Sequence, residues 1–271
     1  MAEDYKSEEL TEEEFLQLVL DEQEKALAKA REERLNPSIK KKKKQKPIVR
    51  LVVWLMALIL VFNTFAILFN IYSIPAIEFV KVSSQLSSQE NIQTYKKSVV
   101  TINTESSKGT GFVVSEDGYI LTNEHVIDDA LTLTVVFPDN SLYQAEVIEA
   151  YEQYDLALIK VDGSELPHLT LSDSSTFLDQ QHVYFIGNPL AFSGIANEGK
   201  IVGLTTATSI DTEIVMMDAP VYKGNSGSPV IREDGEVIGV VFATGKRDPH
   251  GKVGLFIPIE RAHELFSQWI H

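Results

Sequence analysis

Residues 223–229 read Lys-Gly-Asn-Ser-Gly-Ser-Pro and open directly into the apolar pair Val230-Ile231. Gly224 and Gly227 around Ser226 allow the backbone a tight turn that presents the hydroxyl, and let amide N–H groups converge on one point. A plain glycine-serine surface loop does not explain why apolar, strand-length runs flank this segment so closely. Working outward, the same texture continues in both directions. From Ser98 onward, short runs rich in Val, Ile, Thr and aromatics alternate with turn signals at Asp117-Gly118, Pro138-Asp139-Asn140, Asp162-Gly163, Asn188-Pro189 and Asp234-Gly235. Many short strands at fairly regular spacing predict an all-β fold of the barrel or sandwich kind rather than alternating βαβ units. Only the end, with Ile259, Ala262, Leu265, Phe266 and Trp269 at helical spacing, predicts a helix.

Two upstream features share the pattern of a polar residue set against an apolar strand. His125 follows the run Tyr119-Ile120-Leu121-Thr122-Asn123-Glu124, and Asp155 precedes Leu156-Ala157-Leu158-Ile159-Lys160. Taken alone, a histidine near a strand end is more often structural or exposed, and an aspartate at a strand start is an ordinary turn or cap residue.

Together, however, TNEHV, DLALIK and GNSGSP, in this order and spacing, resemble the HtrA family of serine proteases. Ile186-Gly187-Asn188-Pro189 and Asp218-Ala219 are similar to further segments of that family, and the likeness covers roughly residues 95 to 262. The resemblance implies a chymotrypsin-like double β-barrel with a closing C-terminal helix, His125 and Asp155 coming from the first barrel and Ser226 from the second. It implies a serine endopeptidase in which Ser226 is the nucleophile, His125 the general base and then acid, and Asp155 the group that orients the imidazole. Backbone N–H groups of Gly224 and Ser226 would form the oxyanion hole, with Asn225 shaping the turn between them. Val221, five residues before the serine, is expected to line the primary specificity pocket, favouring cleavage of extended polypeptide substrates after small or aliphatic residues. No metal and no organic cofactor is implied. The alternative is a latent protease-fold scaffold that binds peptides or partner membrane proteins without turning them over.

Residues 48–74 form the other decisive segment. From Leu51 to Phe69 there is no charge, which at about 1.5 Å per residue suffices for a bilayer core of about 30 Å, and Pro75 marks the expected stop. Lys40 to Lys44, Lys46 and Arg50 stand on the near side, so the N-terminus is expected in the cytoplasm and everything beyond about residue 75 outside it. A cleaved signal peptide fits less well, because a long charged leader precedes the apolar stretch. Residues 1–35 carry a net charge of −7 and residues 36–50 one of +7, while the remainder carries −15. An acidic main domain repels phosphates, which argues against nucleic acid as a partner. The absence of cysteine excludes disulfides, thiolate metal sites and a cysteine nucleophile.

The expected organisation is therefore an acidic cytoplasmic leader with a basic juxtamembrane stretch (1–47), a transmembrane helix (48–74), a linker or weak helix (75–94) and the protease domain (95–271). Thr11 and Glu14 have the form of a capping box, and Phe15, Leu18, Val19, Ala26 and Ala30 follow at helical spacing, so the leader is expected to be an amphipathic helix open to a cytoplasmic partner. The peptide-binding PDZ domain common in the resembled family is expected to be missing, because the likeness reaches almost to His271. Many such proteases are homotrimers joined by residues before the first barrel, a role open to Tyr72, Phe79 and Tyr95, although aromatics beside a membrane also serve as interfacial anchors.

Overall fold

The computed structural model describes residues 12–35, 47–128, 130–173, 176–189, 192–207, 210–247 and 249–270, and of residues 12, 33, 65–78 and 80 the backbone course only. The chain divides into two compact units, residues 1–66 and 67–271.

The first unit holds helix α1 (Glu12–Leu35) and the start of α2 (Pro47–Leu86). The apolar residues of α1, among them Phe15, Leu18 and Val19, are exposed. Within α2, the window Pro47–Thr64 has a mean hydropathy of 2.0 and no residue buried by protein, so this helix is long and apolar enough to cross a membrane. The helix does not end at Pro75 as expected but runs to Leu86, and a further helix α3 (Glu90–Lys97) follows. An internal proline removes one backbone hydrogen bond. Here the turns beyond it are tied down, with Phe79, Ser83 and Leu86 all buried in the second unit.

That unit is built on two closed six-stranded antiparallel barrels. The first comprises β1 (Val99–Asn103), β2 (Lys108–Val113), β3 (Tyr119–Thr122), β4 (Thr134–Val136), β5 (Leu142–Tyr151) and β6 (Leu156–Val161), in the order β1-β2-β3-β6-β5-β4. The second comprises β7 (His182–Gly187), β8 (Ile195–Ala207), β9 (Ile210–Asp218), β10 (Pro229–Arg232), β11 (Val237–Arg247) and β12 (Gly251–Pro258), in the order β10-β11-β12-β9-β8-β7. Each turn signal named above falls at or beside a strand end.

Strand alternation explains how the barrels fill and join. Along β6, Ala157, Ile159 and Val161 point into the first barrel, while Leu156 and Leu158 belong to the layer shared by both. Successive strand residues face opposite sides, so a strand buried on both reads as a continuous apolar run. Helix α5 (Ile259–Phe266) seals that shared layer with Ile259, Ala262 and Phe266, all fully buried, and Trp269 packs beyond its end on Tyr119, with ring centroids 5.8 Å apart. The core is thus all-β with flanking helices.

Phe79, considered above for trimer contacts, is occupied within its own chain. It is 6% exposed and its ring lies edge-on to Tyr222, with centroids 4.7 Å apart. Tyr95 is half-buried against the layer between the barrels, and the side chain of Tyr72 lies outside the described residues.

Candidate active site

Strands β3 and β6 are antiparallel neighbours in which Thr122 pairs with Ala157. The residues just past the end of one and just before the start of the other must therefore meet. Asn123 turns the chain into the single helical turn α4 (Glu124–Ile127), which carries His125, and a 3₁₀ turn over Glu152–Tyr154 delivers Asp155 in the left-handed region at φ 48°, ψ 44°. Such a backbone costs a non-glycine residue about 1 kcal/mol. It is held by Asn123, whose Nδ2 donates to the Asp155 carbonyl at 2.8 Å, and by His125, whose backbone N–H donates to Asp155 Oδ1 at 3.0 Å.

The side chains then close on each other. His125 Nδ1 lies 2.8 Å from both carboxylate oxygens of buried Asp155. The imidazole itself is about half-exposed, its side chain 48% accessible, which leaves one ring edge open to a reacting partner. The hydrogen bond that His125 Nδ1–H donates to the Asp155 carboxylate raises the pKa of His125 above its ordinary value; partial burial opposes this, and the charges of Asp155 and Glu124 add to it. Burial and the surrounding carboxylates likewise raise Glu124.

Ser226 sits in the connection from β9 to β10. The backbone N–H of Asn225 donates to the Tyr222 carbonyl at 3.1 Å, closing a four-residue turn whose third residue, Gly224, has φ 97°. A positive φ at that position is the signature of a type II turn and explains the glycine. Two bonds from the first barrel clamp the loop: Thr110 Oγ1 donates to the Gly224 carbonyl at 2.7 Å, and the Thr110 N–H donates to the Ser226 carbonyl at 2.9 Å. With both carbonyls drawn to Thr110, the amide N–H groups of Gly224 and Ser226 have no acceptor among the described residues. Gly227 is forced by the same approach, since a Cβ there would stand 1.9 Å from the Thr110 carbonyl oxygen and 2.6 Å from Thr122 Oγ1, at φ 82°.

Thr122 lies three residues before His125, so this clamp places the serine loop beside the strand end that leads to the histidine. The Ser226 hydroxyl donates to the Phe242 carbonyl at 3.3 Å, and no hydrogen bond joins it to His125 among the described residues. Asn225 is fully buried, its side-chain amide without a partner among the described residues, beside the equally buried Ser228 hydroxyl and Gly187. Val221 is 3% exposed and packs in the second barrel's core, its Cγ2 only 2.7 Å from where a Cβ on Gly254 would stand. Among the described residues no cluster of His, Cys, Asp and Glu is arranged to hold a metal ion.

Two residues of this site escape a reading of the sequence for catalytic groups. The side chains of Asn123 and Thr110 bond backbone groups here; Thr110 stands between Gly109 and Gly111, and that flanking is the one local signal that a close backbone approach occurs there.

Two closed barrels contributing a histidine–aspartate pair and a clamped serine turn match known proteins. The family model described as a trypsin-like peptidase domain matches residues 109–240. Over these residues the chain is similar to trypsin-like serine proteases of the HtrA/DegP type. It is 37% identical over 166 residues to a protein of Halomonas elongata named probable periplasmic serine endoprotease DegP-like, covering 60% of this chain and 35% of that one. A protein of the same name from Chlamydia muridarum is 36% identical over 171 residues, covering 61% of this chain and 34% of its own length. The chain thus spans about a third of the length of the curated relatives it matches. Among solved structures, the serine endoprotease from Yersinia pestis superposes with a TM-score of 0.58 at 27% identity, covering 66% of this chain and 64% of that one. The HtrA-type protease AlgW with a tripeptide superposes with a TM-score of 0.61, also at 27% identity, covering 67% and 62% respectively.

Proposed function

We propose that the protein is a serine endopeptidase of HtrA type in which Ser226 attacks the scissile carbonyl, His125 takes its proton and returns it to the leaving amine, and Asp155 orients and stabilises the imidazolium. The developing oxyanion binds to the N–H groups of Gly224 and Ser226, donors of a kind worth about 3 kcal/mol each where their loss has been examined. The observation that carries this reading is the pair of amides left without acceptors by the Thr110 clamp, beside a histidine already hydrogen-bonded to a buried aspartate. The attack requires a rotation of the Ser226 side chain from the Phe242 carbonyl toward His125.

Val221 and the apolar surroundings of Gly254 support a preference for small or aliphatic residues before the cleaved bond, in polypeptides extended enough to pair with a strand edge. The uncharged stretch from Leu51 to Phe69 within α2 and the basic run before it support a single-pass anchor, with the acidic leader helix in the cytoplasm and the protease domain outside. That places the exposed apolar residues of α1 within reach of a cytoplasmic partner. It also agrees with the word periplasmic in the names of the relatives. Assembly into a trimer, where it occurs, falls to surfaces other than Phe79.

One observation favours a second reading, a latent scaffold: the resting hydroxyl bonds to Phe242 rather than to the histidine. Labelling with a fluorophosphonate separates the two. Label on the parent and none on Ser226→Ala supports the enzyme, whereas equal absence from both supports the scaffold.

A further inference from the structure

Helix α2 runs on from the apolar window to turns that touch the second barrel. Three contacts latch those turns to β8 and the serine loop. The Ala196 N–H donates to Ser83 Oγ at 3.1 Å, Asn197 Nδ2 donates to the Phe79 carbonyl at 3.4 Å, and the Phe79 ring stands edge-on to Tyr222 with an interplanar angle of 76°. Tyr222 is the first residue of the turn that exposes the Gly224 amide, because its carbonyl accepts the Asn225 N–H. Lys252 Nζ sits over the Tyr222 ring at 5.5 Å from its centroid. The ring is thereby fixed by Phe79 and Lys252, and the backbone that carries it begins the oxyanion turn.

We propose that Phe79, on the helix leading out of the membrane segment, is a positioning residue for catalysis that holds the Tyr222–Asn225 turn in its oxyanion-binding form. This rests on the functional reading above. Thr110 fixes the far end of the turn at Gly224, and Phe79 fixes its near end through Tyr222. A turn pinned at one end only can let its central peptide rotate, which would swing the Gly224 N–H away from the substrate oxygen. Binding of the peptide elsewhere along the cleft does not depend on that rotation. Loss of Phe79 should therefore lower kcat and spare KM, the mark of an interaction made in the transition state.

The test uses the full chain in detergent micelles or vesicles, with a peptide substrate and a thermal midpoint recorded for each variant. Phe79→Ala is expected to lower kcat about tenfold, a partial loss of one oxyanion donor, with KM within about threefold of the parent. Phe79→Leu, which refills most of the space against Tyr222, should recover most of the rate. Should Phe79→Ala fail to fold, Ser83→Ala loosens the same latch without opening a cavity and should lower kcat in the same direction. An active parent whose kcat is unchanged in Phe79→Ala, or in Ser83→Ala where the former does not fold, overturns this inference alone. A fall in rate that only tracks the unfolded fraction overturns it equally. A parent that neither cleaves nor takes up a fluorophosphonate overturns the functional reading and this inference with it.

Discussion

Thr110 Oγ1 donates to the carbonyl oxygen of Gly224 across 2.7 Å, and with the Thr110 N–H on the Ser226 carbonyl it joins the first barrel to the serine turn of the second. The same hydroxyl oxygen accepts the Asn188 N–H at 2.9 Å, so it bonds two backbone groups of the second barrel.

Thr110→Val keeps the shape of the side chain and its fit to a strand but leaves the Gly224 carbonyl and the Asn188 N–H unpaired. The expected cost is about 1–3 kcal/mol of stability. The turn, freed to rotate, should also lose about ten- to a hundredfold in kcat. Denaturant unfolding and steady-state kinetics on the same preparation check both numbers, and full activity in this variant would mean that the clamp is dispensable.

Gly227→Ala should fare worse. Its Cβ would meet the Thr110 carbonyl oxygen at 1.9 Å and Thr122 Oγ1 at 2.6 Å, and neither a strand carbonyl nor a buried threonine can step aside cheaply. Left-handed backbone adds to the clash. A loss of at least about 2 kcal/mol is expected, together with activity. A circular-dichroism melt of the variant, set beside that of the inactive Ser226→Ala, isolates the structural part, since the serine variant should melt like the parent.

Activity should rise with pH through the ionisation of His125, because only the neutral imidazole can accept the serine proton. The hydrogen bond donated to Asp155 raises that ionisation, so the midpoint of the ascending limb of kcat/KM should lie above the ordinary histidine value of 6.5. Asp155→Asn removes the cause and should lower the midpoint while cutting kcat by about four orders of magnitude, the size seen for the equivalent change in a chymotrypsin-type triad. The stability linkage runs the other way. A histidine whose folded pKa is raised contributes stability that is fully present below its unfolded pKa and fades as pH climbs through the folded one. The pH that favours catalysis is therefore the pH at which this contribution to the fold has gone.

Much of this architecture was legible from period and punctuation. Leu156 to Val161 reads as an apolar run because one face fills a barrel and the other fills the seam between barrels, and turn residues such as Asp117-Gly118 and Asp234-Gly235 mark the strand ends. The histidine, aspartate and serine stand out only as a set, through the resemblance carried by TNEHV, DLALIK and GNSGSP in their order and spacing. What stayed hidden depends on long-range approach. Nothing near Thr110 in the sequence says that its hydroxyl meets Gly224, 114 residues away. Likewise Pro75 is a reliable local sign of a helix end, and it was overridden because Phe79, Ser83 and Leu86 gain burial by continuing the helix onto β8. The same burial explains why Phe79, read as a surface aromatic fit for contacts between chains, turns inward to Tyr222.

Val221 offers a test of specificity that is independent of the catalytic groups. Its Cγ2 and the Cε of Met217 stand 2.7 and 2.9 Å from where a Cβ on Gly254 would sit, so a primary pocket at Gly254, as the functional proposal has it, would be backed by these two side chains. Such a pocket would accept an aliphatic side chain and obstruct a ring. Val221→Ala removes two methyl groups from the wall. One to two methylenes in an apolar pocket are worth about 1–3 kcal/mol, so the ratio of kcat/KM for phenylalanine over valine before the cleaved bond should rise at least about tenfold. Gly254→Ala should push the ratio in the opposite sense and slow both substrates, since its methyl group would collide with Val221 and Met217. Paired peptide substrates differing only at that residue measure the ratio directly. If it stays constant in both variants, Val221 is core packing and the pocket lies elsewhere.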